Sequence, residues 1–191
     1  MNKMTQIDLT DYEIIQKIKE NPDNFGLVID RYEQKLYKYI MRSTDITNEE
    51  ADDLLQEIFI KVYKNIFEVK ENLSFSSWIY RIAHNYIIDY FRKNSKIEKV
   101  SLDDESYSFL INNIKSDFDP RLDLDKKEIK EIVQLALSKI KKEYREILIL
   151  KFIEDKSYDE ISDILRIPSG TVGTLINRAK TQIKQNLNFN F

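Results

Sequence analysis

The sequence predicts an all-α protein of two small helical domains joined by an acidic linker. Three observations carry this. Apolar residues recur at helical spacing through both ends of the 191-residue chain. No stretch alternates as a strand would. Residues 97–125 lose the period and hold Asp103-Asp104-Glu105, Asp117, Asp119, Pro120 and Asp123, in a run too long for an ordinary connection inside a compact domain. The domains are therefore placed at 1–96 and 126–191, with 97–125 between them.

The elements follow in order. Ile14, Ile15 and Ile18 open an apolar stripe that resumes at Phe25, Val28, Ile29, Tyr32 and Leu36, after a turn at Asn21-Pro22-Asp23-Asn24. Thr47-x-x-Glu50 is a capping box: each side chain can reach the other's backbone N–H and so open a helix. That helix carries Leu55, Ile58, Phe59, Val62 and Ile66 on one face. Lys70 to Ser77 is polar and serine-rich and reads as a loop, with a helix from Ser77 to about Arg92. Beyond the linker the period returns at Ile129, Ile132, Val133, Ala136, Leu137 and Ile140, then in a helix from about Glu143 to Ile153. Ser157-x-x-Glu160 is a second capping box, followed by Ile161, Ile164 and Leu165. Ile167-Pro168-Ser169 breaks the chain, and the last helix keeps Val172, Ile176, Ala179 and Ile183 on one side.

Composition narrows the function. Cysteine is absent, which removes disulfides, thiolate metal sites and cysteine nucleophiles. His84 is the sole histidine, so a histidine-rich metal centre is excluded. Three glycines, Gly26, Gly170 and Gly173, do not make a glycine-rich phosphate loop. No apolar run approaches a membrane span, and Met1 to Asp11 has acids and no apolar block, which argues against a signal peptide. A cytoplasmic binding protein without a cofactor is expected, rather than an enzyme.

Charge is unevenly laid out. The net charge is −3, but residues 129–191 hold 11 basic against 8 acidic side chains, and after Asp163 come Arg166, Arg178, Lys180 and Lys184 with no acid. A basic end on an acidic protein suits an anionic partner, although a solvated charged face is the plainer account. The short helix, break and longer helix at 157–187 form a helix-turn-helix pattern, whose second helix enters the major groove by its first turns. Opposite its apolar stripe stand Thr171, Thr174, Asn177, Arg178 and Thr181. Arg178 suits guanine or phosphate, while Asn177 and Thr174 suit base edges or backbone. The free N–H groups at Ser169 to Thr171 suit a phosphate. A plain helical hairpin with a polar outer face is the competing account.

Two further segments are informative. In Asp52-Asp53-Leu54-Leu55-Gln56-Glu57, the residues Asp53, Gln56 and Glu57 share one face opposite the apolar stripe. In Phe75 to Lys93, a polar row of Ser77, Arg81, His84, Asn85, Asp89 and Arg92 runs beside an aromatic and aliphatic face. Aromatic and basic groups together suit an unstacked strand. The D-x-x-Q-E face, the W-x-Y-R-I-A-x-N helix and the S-Y-x-E-I…G-T-V helix-turn-helix occur in this order from Tyr12 to about Leu187. Together they resemble a bacterial RNA polymerase sigma factor of the sigma-70 family, in its small extracytoplasmic-function (ECF) group.

The resemblance implies a dissociable subunit that binds core polymerase, directs it to −35 and −10 promoter elements and captures melted bases. Residues 1–96 match sigma region 2, and 126–191 match region 4. Asp53, Gln56 and Glu57 match the face that docks on the clamp of the largest subunit, the flap being the second expected polymerase contact. Asn85 matches a −10 contact to the non-template strand, with Arg81 and Arg92 fitting phosphates and His84 beside them. The loop Lys70 to Ser77 matches a pocket for a flipped base, and flipping costs a few kcal/mol. Trp78, Tyr80, Tyr86 and Tyr90 stand at spacings that more often mean core. The −35 contacts fall at Gly173, Thr174, Asn177 and Arg178, with Ser169, Thr171, Lys180 and Lys184 adding phosphate contacts and charge. The family usually has Lys or Arg where Gly173 stands and Arg where Leu175 stands, so two cations are missing. The resemblance also implies an anti-sigma protein as inhibitor, and an acidic linker that either threads a basic channel of the polymerase or serves as a solvated tether. A helix-turn-helix regulator acting without polymerase, and an all-helical polymerase inhibitor, are the competing functions.

Overall fold

The computed structural model describes residues 9–44, 46–69, 74–94 and 140–188. The acidic linker, the helix expected to start at Ile129 and most of the loop after Lys70 lie outside these residues. Among the described residues every regular element is helical.

Four helices form the N-terminal module: α1 (Asp11–Glu20), α2 (Gly26–Ser43), α3 (Asn48–Asn65) and α4 (Phe75–Asn94). Their starts are chemically marked. Thr10 and Glu13 close a capping box on α1, and Thr47 and Glu50 close the expected one on α3, where Thr47 N donates to Glu50 Oε2 at 2.9 Å. Each box satisfies two backbone N–H groups that the helix itself leaves over. A 3-10 turn at Pro22–Phe25, held by the Asn21 side chain, fills the break between α1 and α2. The apolar stripes then close on one another: Ile14 and Ile18 of α1, Val28 and Leu36 of α2, Ile58 and Val62 of α3, and Ile79 and Ala83 of α4 are all buried.

The start of α4 corrects the expected loop boundary. The helix begins at Phe75, two residues ahead of Ser77. Ser74 Oγ accepts the Ser77 N–H at 3.3 Å, so a serine that reads as loop composition acts as a helix cap.

The C-terminal module contains α5 (Lys142–Leu148), α6 (Tyr158–Leu165) and α7 (Ser169–Asn188). The regular helix expected to run to Ile153 changes at Ile149 into a wide π turn, closed by Glu154 N donating to Ile149 O at 3.0 Å. Asp155 follows with positive φ, so the chain reverses into the Ser157–Glu160 capping box of α6. At the other end of α6, Arg166 takes the left-handed conformation (φ 54°) where glycine is the usual resident. Val172, Ile176, Ala179 and Ile183 of α7 are buried as the spacing requires.

The two modules touch. Helix α4 packs along α6, and α2 meets α5 and the π turn. Three tyrosines are buried with carboxylate partners: Tyr32 on Asp11 at 2.6 Å, Tyr39 on Glu146 at 2.5 Å and Tyr80 on Glu154 at 2.5 Å. Burial, reinforced by the facing carboxylate, raises all three pKa values far above the usual tyrosine range. A raised folded-state pKa contributes stability that is intact below the unfolded value near 10 and is lost as pH climbs past it. Alkaline titration is therefore expected to leave the fold intact to about pH 10. Above that, these three of the eleven tyrosines should ionise together with loss of helical circular dichroism, not ahead of it. Ionisation of all eleven with full helicity would contradict this.

Replacing Arg166 by Gly removes a backbone strain of about 1 kcal/mol and should raise the urea midpoint accordingly.

Candidate polymerase and promoter interfaces

Helix α3 turns its apolar stripe inward and leaves Asp53, Gln56 and Glu57 exposed, as the sequence predicts. The same outward line continues through Ile60 and Tyr63, 54% and 49% exposed, and Phe67, in the 3-10 turn Ile66–Glu68 that follows α3, is 57% exposed. Spacings of four and three from Gln56 put Ile60 and Tyr63 on one strip of α3. The sequence reading missed this apolar extension, although counting onward from Gln56 would have located it. Tyr63 is braced by an edge-to-face contact with Phe25, ring centres 5.0 Å apart.

On α4 the proposed −10 residues divide. Asn85 and Arg92 are exposed, with Arg92 in a solvent-facing pair with Asp89 at 3.1 Å. Such a pair contributes little and leaves Arg92 available to a phosphate. Arg81 is half-buried. His84 turns toward the C-terminal module, where its Nδ1 donates to Glu146 Oε1 at 2.6 Å. The aromatic residues behave mostly as core. Trp78 is buried and stacks on Phe75, and Tyr80 is buried against Tyr39, whereas Tyr90 is half-buried and donates to Glu50.

Helix α7 presents Ser169, Thr171, Thr174, Asn177 and Arg178 to solvent. Thr174, Asn177 and Arg178 line an open groove of about 440 Å³ with Tyr144 of α5 and with Thr181, Gln182 and Gln185. Tyr144 is the contribution that sequence reading missed, because its place follows from how α5 lies against α7. The Thr174 and Thr181 hydroxyls donate to the Gly170 and Asn177 carbonyls, so both remain as acceptors toward a ligand. Lys180 is half-buried, with Nζ 5.2 Å from the centre of the Phe152 ring. Its charge is tethered on the flank of the helix and is not at its tip. Gly173 has a structural reason of its own: a Cβ there would stand 3.3 Å from Cε2 of Tyr158. A side chain at 173 would need the edge of the Tyr158 ring to give by a few tenths of an ångström.

Comparisons with known proteins place both modules in one family. Residues 28–97 match the family model for sigma-70 region 2, and residues 130–183 match that for sigma-70 region 4. The ECF RNA polymerase sigma factor SigW of Bacillus subtilis is 32% identical over 177 residues, covering 91% of this chain and 94% of that one. This chain belongs to the ECF sigma factors. The ECF RNA polymerase sigma-E factor of Escherichia coli K12 is 26% identical over 180 residues, covering 92% and 93% of the two chains. Among solved structures, CnrH in complex with the cytosolic domain of CnrY shares the fold with a TM-score of 0.63 at 20% identity, covering 93% of this chain and 96% of that one. RpoE of Bartonella quintana in complex with the anti-sigma factor NepR shares it with a TM-score of 0.64 at 18% identity, covering 88% and 99%. In this sigma factor the region 2 match spans most of α2, then α3 and α4, and the region 4 match ends within α7. No helix among the described residues is long and apolar enough to cross a membrane.

The Gly173 contact gives a direct test. Alanine is about 1 kcal/mol better than glycine in a helix interior, and the Tyr158 ring, 45% exposed, is free to swing aside. Gly173→Ala is expected to raise stability by less than about 1 kcal/mol in urea unfolding, with Tyr158 becoming more solvent-exposed in quenching or NMR measurements.

Proposed function

We propose that this sigma factor docks on core RNA polymerase through the outer face of α3, reads the −10 element with α4 and the −35 element with α7, and holds melted bases so that transcription starts. The observation that carries the proposal is the relationship to SigW along 91% of the chain, joined to the exposure of three different polar faces on three different helices. Asp53, Gln56 and Glu57 supply charge and hydrogen bonds for a polymerase clamp. Ile60, Tyr63 and Phe67 add the apolar area that a stable interface needs at its centre. Asn85, Arg92 and Arg81 face the −10 strand. His84 joins them once it is released from Glu146. On α7, Asn177 and Thr174 face base edges, Arg178 supplies the leading cation, and Ser169 and Thr171 place backbone N–H groups against a phosphate. Lys180 adds a more distant charge.

The protein acts in the cytoplasm, where polymerase and promoter are, and performs no bond chemistry of its own; the polymerase supplies that. It needs no cofactor. An anti-sigma protein is the expected inhibitor, since CnrH and the Bartonella RpoE are each found with a protein partner, the cytosolic domain of CnrY and NepR.

Run-off transcription with purified core polymerase over a library of host genomic fragments tests the function and returns the promoter motif. Dependence of specific transcripts on the added chain is expected, and failure to associate with core enzyme would refute the proposal. Asp53→Ala with Glu57→Ala should weaken core association by about tenfold or more while leaving the helical content unchanged, because both side chains are exposed.

Arg178→Ala should weaken −35 binding and flatten its salt dependence by about one unit of log–log slope, and Gly173→Arg should do the reverse. An Arg178→Ala protein that binds a −35 probe like the wild type would remove Arg178 from the readout.

A further inference from the structure

Four basic residues and no acid follow Asp163 in the chain. Two of them, Arg166 and Arg178, are exposed arginines, and neither is held by an ion pair or a side-chain hydrogen bond among the described residues. Arg178 lines the groove beside α7. Arg166 stands outside that groove, in the break between α6 and α7. The backbone makes arginine an unusual resident there. Its φ and ψ are 54° and 44°, the left-handed region that favours glycine. Asp155, the other described non-glycine residue with positive φ, is of a type that tolerates this region, and arginine is not. None of the three glycines of the chain has a positive φ. The position where glycine would cost least therefore carries a long cation instead. The turn around it is firmly set. Arg166 N and Ile167 N both donate to Ser162 O, the second at 3.2 Å, and the Ser162 hydroxyl donates to Ile167 O at 2.6 Å. Pro168 follows with its own fixed φ. The guanidinium thus extends from a fixed base just ahead of the first turn of α7.

We propose that Arg166 is a DNA-binding residue of this helix-turn-helix, its guanidinium taking a backbone phosphate at the edge of the −35 element, where α7 enters the major groove. The proposal rests on the reading of α7 as the −35 helix. A helix that enters a groove by its N-terminal turns brings the residues just ahead of it to the phosphates that wall the groove. Arg178 lies roughly 13 Å along the axis from Ser169, at a rise of about 1.5 Å per residue, a span comparable with the width of the major groove, about 12 Å. Arg166 and Arg178 therefore meet different phosphates, and each releases its own counter-ions. Within the fold, the Arg166 side chain touches no partner that would offset its backbone strain, so the compensation lies in what it binds.

The test compares Arg166→Gly, Arg166→Lys and Arg178→Ala in holoenzyme assembled from the full chain and core polymerase, bound to a promoter fragment returned by the run-off library, across a series of salt concentrations. Arg166→Gly should weaken promoter binding about fivefold or more at about 0.1 M salt and flatten the log–log slope by about one unit. The loss should be the same on promoters with altered −35 bases, because a phosphate contact carries no base information. Arg166→Lys keeps the charge and should bind within about twofold of the wild type. The free Arg166→Gly chain should meanwhile unfold at higher urea, so that binding and stability move in opposite directions, which a purely structural role would not produce. The proposal is overturned if Arg166→Lys binds as weakly as Arg166→Gly, or if the loss depends on the −35 bases. Wild-type affinity and slope for Arg166→Gly, beside weakened Arg178→Ala, overturn the Arg166 contact alone. Promoter affinity indifferent to both arginines and to the −35 bases overturns the −35 reading of α7 itself.

Discussion

Burial of two glutamates against tyrosine, arginine and histidine donors is the constraint on which the arrangement of this protein depends. Glu146 and Glu154 leave water at the junction of the two modules, and each is satisfied there by two donors from the N-terminal side. A buried carboxylate without such donors would cost several kcal/mol. The junction therefore favours this orientation, because a shift of a few ångströms would break the bonds to both carboxylates. Such contacts specify geometry more than they add strength, since attraction between the groups is largely offset by their desolvation.

The surfaces proposed for binding are held apart from this junction by helix periodicity. In α3 the inward stripe of Leu55, Ile58 and Val62 leaves Asp53, Gln56, Ile60 and Tyr63 outside. In α7 the stripe from Val172 to Ile183 leaves Thr174, Asn177 and Arg178 outside. Core packing and recognition thus use opposite faces of the same helices, and a change on one face need not disturb the other. Helix α4 is the exception. His84 and the serines at its start face the other module, so there packing uses residues on the same side as the face proposed for recognition.

The departures on α7 have a local physical basis. Gly173 admits the Tyr158 ring at a distance that a Cβ would crowd, and Tyr158 also lies under Lys151, whose Nζ is 5.5 Å from the ring centre. Where the resemblance leads one to expect a cation, this chain has the edge of an aromatic ring from the preceding helix. Lys180 is drawn toward Phe152, so Arg178 stands as the exposed cation of the groove.

Much of this was legible in the sequence, because local rules act within a few residues. The capping boxes at Thr47 and Ser157, the apolar stripe of α7 and the exposed Asp53–Glu57 face each follow from spacings of three and four. The start of α4 was misplaced by two residues, since Ser74 as a cap and Ser74 as a loop residue look alike in composition. The π turn after Leu148 and the left-handed Arg166 carry no marker residue, since packing and not propensity imposes them. The partners of Glu146, Glu154 and Glu160 lie 62 to 112 residues away in the chain. Sequence alone fixed which faces are apolar and where most helices begin, because those depend on near neighbours. Tertiary structure decided that His84 bonds Glu146 at the junction, because only folding brings a carboxylate from the far module within bonding distance of its ring.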